Sequence, residues 1–217
     1  MKNSILPILL IFLIAVSCSD DNETSPGSEP VQMSLSGVSQ KGPFVIGSSV
    51  TIQELNESFS PNGTSFQVST TDNLGSFSLN TEVATEYVEI ICTGFYYNEV
   101  AGEVTNTNLT VRSITPVSEN LASNINILTT LAKKRIINLV NEGGLTYEEA
   151  KLQAEREVLL VFNVSSETID GFDQMDISGT GEDDAALLAI SIMLQGEGSV
   201  SDLSTLTSSI IEDLETD

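Results

Sequence analysis

A chain of 217 residues with 31 Asp and Glu against 8 Lys and Arg carries a formal charge of −23. That balance excludes nucleic-acid binding, which rests on Lys and Arg neutralising phosphates, and argues against electrostatic docking on anionic lipid headgroups. There is no His, so the commonest general base and metal ligand is missing, while an apolar fraction of 40% is enough to bury the core of one large or two small domains.

Residues 1–17 combine Lys2, an almost unbroken apolar run Ile5–Val16 and small residues Ala15-Val16-Ser17 directly before Cys18. A spanning helix needs about 20 apolar residues and a basic stop-transfer flank, whereas this run is shorter and is followed by Ser19-Asp20-Asp21-Asn22-Glu23. The layout is that of a bacterial lipoprotein signal: residues 1–17 are removed and Cys18 becomes an acylated N-terminus. Each buried acyl CH₂ is worth about 0.8 kcal/mol and stable attachment takes more than one chain, a condition a diacyl or triacyl Cys meets. The expected partner is therefore a lipid bilayer, anchored through Cys18 and not spanned. Residues 18–32, with Pro26, Gly27 and Pro30, read as a flexible acidic tether.

Residues 33–116 read as a small β-sandwich. Val50–Leu55 alternates with period two, Pro61-Asn62-Gly63 is a turn signal, and Ser65–Thr70 and Ser76–Leu79 flank a second turn at Asp72-Asn73-Leu74-Gly75. This predicts a hairpin in which Phe66 and Val68 face Phe77 and Leu79. Tyr87–Thr93 and Asn108–Ile114 add two further strands, a spacing typical of sandwiches.

Residues 117–217 read as an α-helical subdomain, giving an α+β chain overall. Leu121, Ile125, Leu128 and Leu131 begin a stripe that Ile136, Leu139 and Val140 extend to the stop at Gly143-Gly144. Thr146-Tyr147-Glu148-Glu149 is a capping box opening a second helix with Ala150, Ala154, Val158, Val161 and Phe162 inward. Glu182–Gln195 and Asp202–Leu214 predict two more helices, separated by Gly196-Glu197-Gly198. The last still reads as helical at Asp217, so the helical part is expected either to end in an exposed acidic helix or to continue in a longer protein.

Candidate chemistry is sparse. With Cys18 lipidated, Cys92 has no disulfide partner and reads as a small buried hydrophobe. Asp170, Asp173 and Asp176, with Glu182, Asp183 and Asp184 following, offer oxygen ligands of the kind Ca²⁺ takes, but their spacing of three does not match an EF-hand loop. A solvated loop with helix-capping acids is the default, and no metal or other cofactor is expected. Paired carboxylates would suit a glycosidase, yet Trp, the usual sugar platform, is absent. Tyr96 and Tyr97, in Phe95-Tyr96-Tyr97, are weak candidates for an aromatic binding edge; the alternative is a strand end alternating between core and surface. Lys133-Lys134-Arg135, the one basic cluster, is expected to pair with Glu142, Glu148 or Glu149.

Gly37–Phe44, followed by Gly47-Ser48-Ser49-Val50-Thr51-Ile52, resembles the opening of a group of surface lipoproteins of Bacteroidota- and Fibrobacter-type bacteria. The resemblance continues through Gly94–Val100 and Asn124–Thr129 to Ala150–Ala154. That group has no assigned activity, so no catalytic residues carry over. Thr71–Phe77 is similar to the hairpin of carboxypeptidase-regulatory-like, transthyretin-like sandwiches, which bears on fold and not on function. The acids after Cys18 resemble the tag that exports such lipoproteins to the outer face of the outer membrane. The expectation is a non-catalytic, cell-surface binding or interaction module for an unknown protein or glycan, with a periplasm-facing structural lipoprotein and a glycan-processing component as alternatives.

Overall fold

The fold was obtained as a computed structural model that describes residues 30–165 and 171–216; Cys18 and Asp170 lie outside the described residues. It is α+β, with β structure first and helices after. One four-stranded sheet has the order β3 (Pro61–Ser69), β2 (Ser49–Leu55), β5 (Tyr87–Gly94), β8 (Leu109–Pro116). The other is built on β1 (Val31–Gln40), flanked by β4 (Ser76–Val83) on one side and by the short β9 (Asn120–Ala122) and β10 (Ile125–Asn126) on the other. A two-residue pair, β6 (Tyr97–Asn98) and β7 (Glu103–Val104), stands apart.

Alternation decides which side chains meet. In the larger sheet Val50, Ile52, Val88, Ile90, Cys92 and Val111 are all fully buried, and the registers Val50↔Cys92, Ile52↔Ile90 and Cys92↔Val111 place them on one face. From the other sheet Met33, Leu35 and Phe77 join the same core, each buried side chain contributing about 1.5–3 kcal/mol.

Three sequence expectations are corrected here. The Asp72 turn forms, its carboxylate accepting from the Leu74 and Ser76 amides, but it does not close a hairpin. β3 pairs with β2 (Ile52↔Phe66, Val50↔Val68), whereas β4 crosses to the other sheet and pairs with β1 (Leu35↔Leu79, Gly37↔Phe77). The tight link that makes a hairpin is Asn56–Ser60, where Asn56 accepts from the Ser58 and Ser60 amides. Pro61-Asn62-Gly63 accordingly opens β3 instead of turning; β3 is an edge strand, where a missing N–H is tolerated. Finally, the β layer extends past 116 to Asn126, so Leu121 and Ile125 reach the core from strands parallel to β1 and not from a helix.

Asn side chains are the reason that helix starts late. The Asn124 carboxamide accepts from Val38 N–H and donates to the Met175 carbonyl. Asn126 takes extended backbone and caps α1 (Ile127–Asn141), accepting from the Leu128 and Thr129 amides. The Asn126 cap is local, whereas the Asn124 bonds reach residues 38 and 175, and together they hold residues 124–126 out of the helix. α2 (Tyr147–Val161) begins at the expected capping box, Thr146 and Glu149 satisfying each other's backbone amides. α3 (Glu182–Gln195) and α4 (Val200–Thr216) complete the helical part. Among the described residues no helix is long and apolar enough to cross a membrane.

Candidate functional site

Three of the four segments that carry the resemblance, those around Gln40, Asn124–Asn126 and Lys151, converge on residues 171–177. Gln40, fully buried, donates to Asp176 Oδ1 and accepts from Ile177 N–H. Asn124 and Asn126 donate to the carbonyls of Met175 and Phe172. Lys151 donates to Asp173 Oδ1 at 2.6 Å, and Glu155 accepts from Phe172 N–H. Two of the acids weighed as Ca²⁺ ligands are thus occupied, Asp173 by an ammonium and Asp176 by Gln40 and the Ser178 amide. Among the described residues no group of three or more Asp, Glu or Cys is placed to hold a metal ion. This stretch is a structural hub tying the sheet built on β1 to α2 and α3.

Within the hub, Glu155 stands out electrostatically. Burial pushes its carboxyl up to about 7 against an ordinary 4.5, opposed by Lys151 and the Phe172 amide and reinforced by Asp173 and Glu148. Ionising it costs stability that is fully present below about pH 4.5 and lost as pH rises through about 7, because the unfolded carboxyl gives up its proton more readily. Glu155→Gln keeps the acceptor for Phe172 and removes the charge. The variant is expected to be more stable than the parent at pH 8 by about 2 kcal/mol and nearly equal to it at pH 5, read from urea midpoints. Equal differences at both pH values would refute the assignment.

The sequence candidates Tyr96 and Tyr97 part company. Tyr97 is exposed, but Tyr96 is fully buried, its hydroxyl donating to Gln195 Oε1 at 2.7 Å. Tyr96 is therefore corrected from a binding edge to a core residue: the chain alternates, and Tyr96 lands on Phe44 (ring centroids 6.0 Å apart) and beneath Lys41. Lys41 is itself fully buried and pairs with Glu99 at 2.8 Å. Cys92 is buried and its thiol is pushed up to about 11 by burial, which makes it a poor nucleophile.

The site that sequence reasoning missed is a groove of about 1050 Å³ between the outer face of the β2–β5–β8 sheet, α1 and α4. Its floor is Glu89, nearly buried, whose Oε1 accepts from Arg112 Nη1 at 2.9 Å and from Lys133 Nζ. Lys134 lines the same groove, is exposed, and makes no ion pair among the described residues. The expected partners of Lys133-Lys134-Arg135 are corrected accordingly: Arg135 binds Glu157 through two hydrogen bonds, 2.7 and 3.2 Å. The short link between α1 and α2 makes them antiparallel, which brings residue 135 opposite the second half of α2, while Glu149 is held in its capping box.

The groove departs from the chain's charge balance. Arg112, Lys133 and Lys134 face Glu89, Glu142 and Glu215, three cations against three carboxylates, where the whole chain has 8 against 31. The stripe of α1 that lines it runs from Ile127 to Asn141, a length of about 21 Å at 1.5 Å per residue. Phe59, the one aromatic residue among its described lining, is 7% exposed, so no ring is presented for stacking. The single signal in the sequence was the basic cluster on α1. No family model, curated protein or solved structure matches the chain.

Proposed function

We propose that this chain is the folded module of a cell-envelope lipoprotein, attached to the outer membrane by acyl chains on Cys18 and facing outward, and that its task is to bind rather than to catalyse. The observation that carries the binding reading is the groove, elongated, solvent-open and close to charge-neutral in a strongly acidic protein. Such concave, pre-formed surfaces with a few fixed polar groups are the default ligand sites of proteins. Its one nearly buried carboxylate, Glu89, is held by two cations, an arrangement suited to fixing groove shape more than to moving protons. The anchoring half rests on the sequence around Cys18 and the acids that follow it.

Anchoring and orientation are tested together in cells. The parent protein is expected in the detergent-soluble membrane fraction and sensitive to protease added to intact cells; Cys18→Ser is expected to leave that fraction. Membrane retention of Cys18→Ser would refute acylation there. Protease protection of the anchored parent would turn the module to face the periplasm.

A further inference from the structure

Resting on the groove as the binding site, we infer that its ligand is an anionic saccharide chain, carboxylated or sulfated, held by Arg112 and Lys134 along hydroxyl-accepting walls. Two observations on different elements lead there. The first is cationic capacity. Arg112 spends Nη1 on Glu89 and its side chain is 41% exposed, which leaves further N–H donors of a planar fork toward the groove. Lys134, one residue on from the paired Lys133, adds an ammonium with no ion-pair partner among the described residues. The total charge of −23 repels an anion at distances beyond about 8 Å only weakly, because salt screens it, so short-range contacts decide capture.

The second observation is how the walls spend their hydrogens. Ser204 and Thr207 on α4 donate their hydroxyl protons to the carbonyls of Val200 and Leu203 at 2.9 and 2.8 Å. Asn141 on α1 donates to the Ser58 carbonyl. The two hydroxyls retain only their lone pairs, and Asn141 keeps its carbonyl oxygen together with one of its two N–H donors. A ligand that satisfies those remaining acceptors must bring donors, which a bare phosphate or carboxylate lacks and a polyol has in every unit. Without an exposed ring for stacking, a neutral saccharide would lose the contacts to Arg112 and Lys134 and gain nothing in exchange. The 21 Å stripe estimated above suits a short chain better than one ring.

The test is calorimetric titration of the folded module with tetragalacturonate, its fully methyl-esterified form, a chondroitin sulfate tetrasaccharide and tetraglutamate. One of the two acidic saccharides is expected to bind 1:1, and whichever binds distinguishes carboxylate from sulfate. The methyl ester is expected to bind about tenfold or more weakly, the scale of one charge-assisted contact, and the peptide, which keeps the carboxylates but lacks hydroxyls, more weakly than the acidic saccharide. Lys134→Glu, at an exposed position with no ion pair to break among the described residues, should weaken the acidic saccharide by a similar factor, and Ser208→Trp, placed in the groove, should abolish binding. Equal binding of the ester, equal or tighter binding of the peptide, or no binding of either acidic saccharide overturns the inference. A neutral or peptide ligand that Ser208→Trp blocks would leave the groove reading standing; any ligand indifferent to both substitutions would overturn the groove as well.

Discussion

Glu99→Ala is expected to destabilise the protein by about 3–5 kcal/mol, the cost of stranding a buried charge. Lys41 has no exposed surface, and its ammonium has two neighbours of consequence: Glu99 Oε1 at 2.8 Å and the face of the Tyr96 ring, 5.4 Å to its centroid. Burial already lowers the Lys41 pKa, and Glu99 works against that through charge and hydrogen bond. Removing the carboxylate leaves the ammonium either to give up its proton or to be hydrated inside the fold, and hydration opens packing around Phe44 and Tyr96. The double replacement Lys41→Met/Glu99→Leu should recover most of the loss, because a buried pair is worth little against apolar groups that fill the same space. Urea midpoints for the two variants check this: a single variant within about 1 kcal/mol of the parent would show that the charge is not held by Glu99.

Gly42→Ala ranks beside it, at about 3 kcal/mol or more, through overpacking and not charge. A Cβ at 42 would stand 1.9 Å from the Tyr97 carbonyl oxygen and 2.8 Å from Glu99 Oε2. The Tyr97 backbone cannot retreat cheaply, since its amide donates to the Pro43 carbonyl at 2.9 Å and the adjacent Tyr96 bridges Phe44. Gly47→Ala is the control. Gly47 has φ +87 and nothing within 4 Å of a built Cβ, so its replacement meets only left-handed backbone strain of about 1–2 kcal/mol. If the two alanine variants melt alike, the close approach at Gly42 is not what constrains that position.

Both predictions fall on the segment Gln40-Lys41-Gly42-Pro43-Phe44, legible in the sequence as a motif but not as a mechanism. Its content is tertiary: Gln40 reaches Asp176, Lys41 reaches Glu99, Gly42 admits the Tyr97 carbonyl, and the Lys41 carbonyl accepts from Ser191 Oγ on α3. None of those partners lies nearby in the chain. The groove was hidden for the same reason, its walls coming from stretches around 53–61, 89, 108–112, 127–142 and 204–215. Only the cations at 133 and 134 marked it, and a basic cluster on a helix carries no record of what it faces.

What the amino-acid sequence determined by itself was everything set by a few neighbouring residues. The α+β order, the capping box at Thr146, the glycine stop after α1 with Gly144 at φ +68 and the bounds of α3 follow from local backbone preference and hydrophobic period. Tertiary structure alone decided which strand Phe66 or Phe77 would pair with, whether Leu121 and Ile125 would enter the core from helix or strand, and that Tyr96 would turn inward while Tyr97 stayed out. Alternation offers a strand an apolar face but does not choose its partner; that choice belongs to whichever distant surface buries the face best.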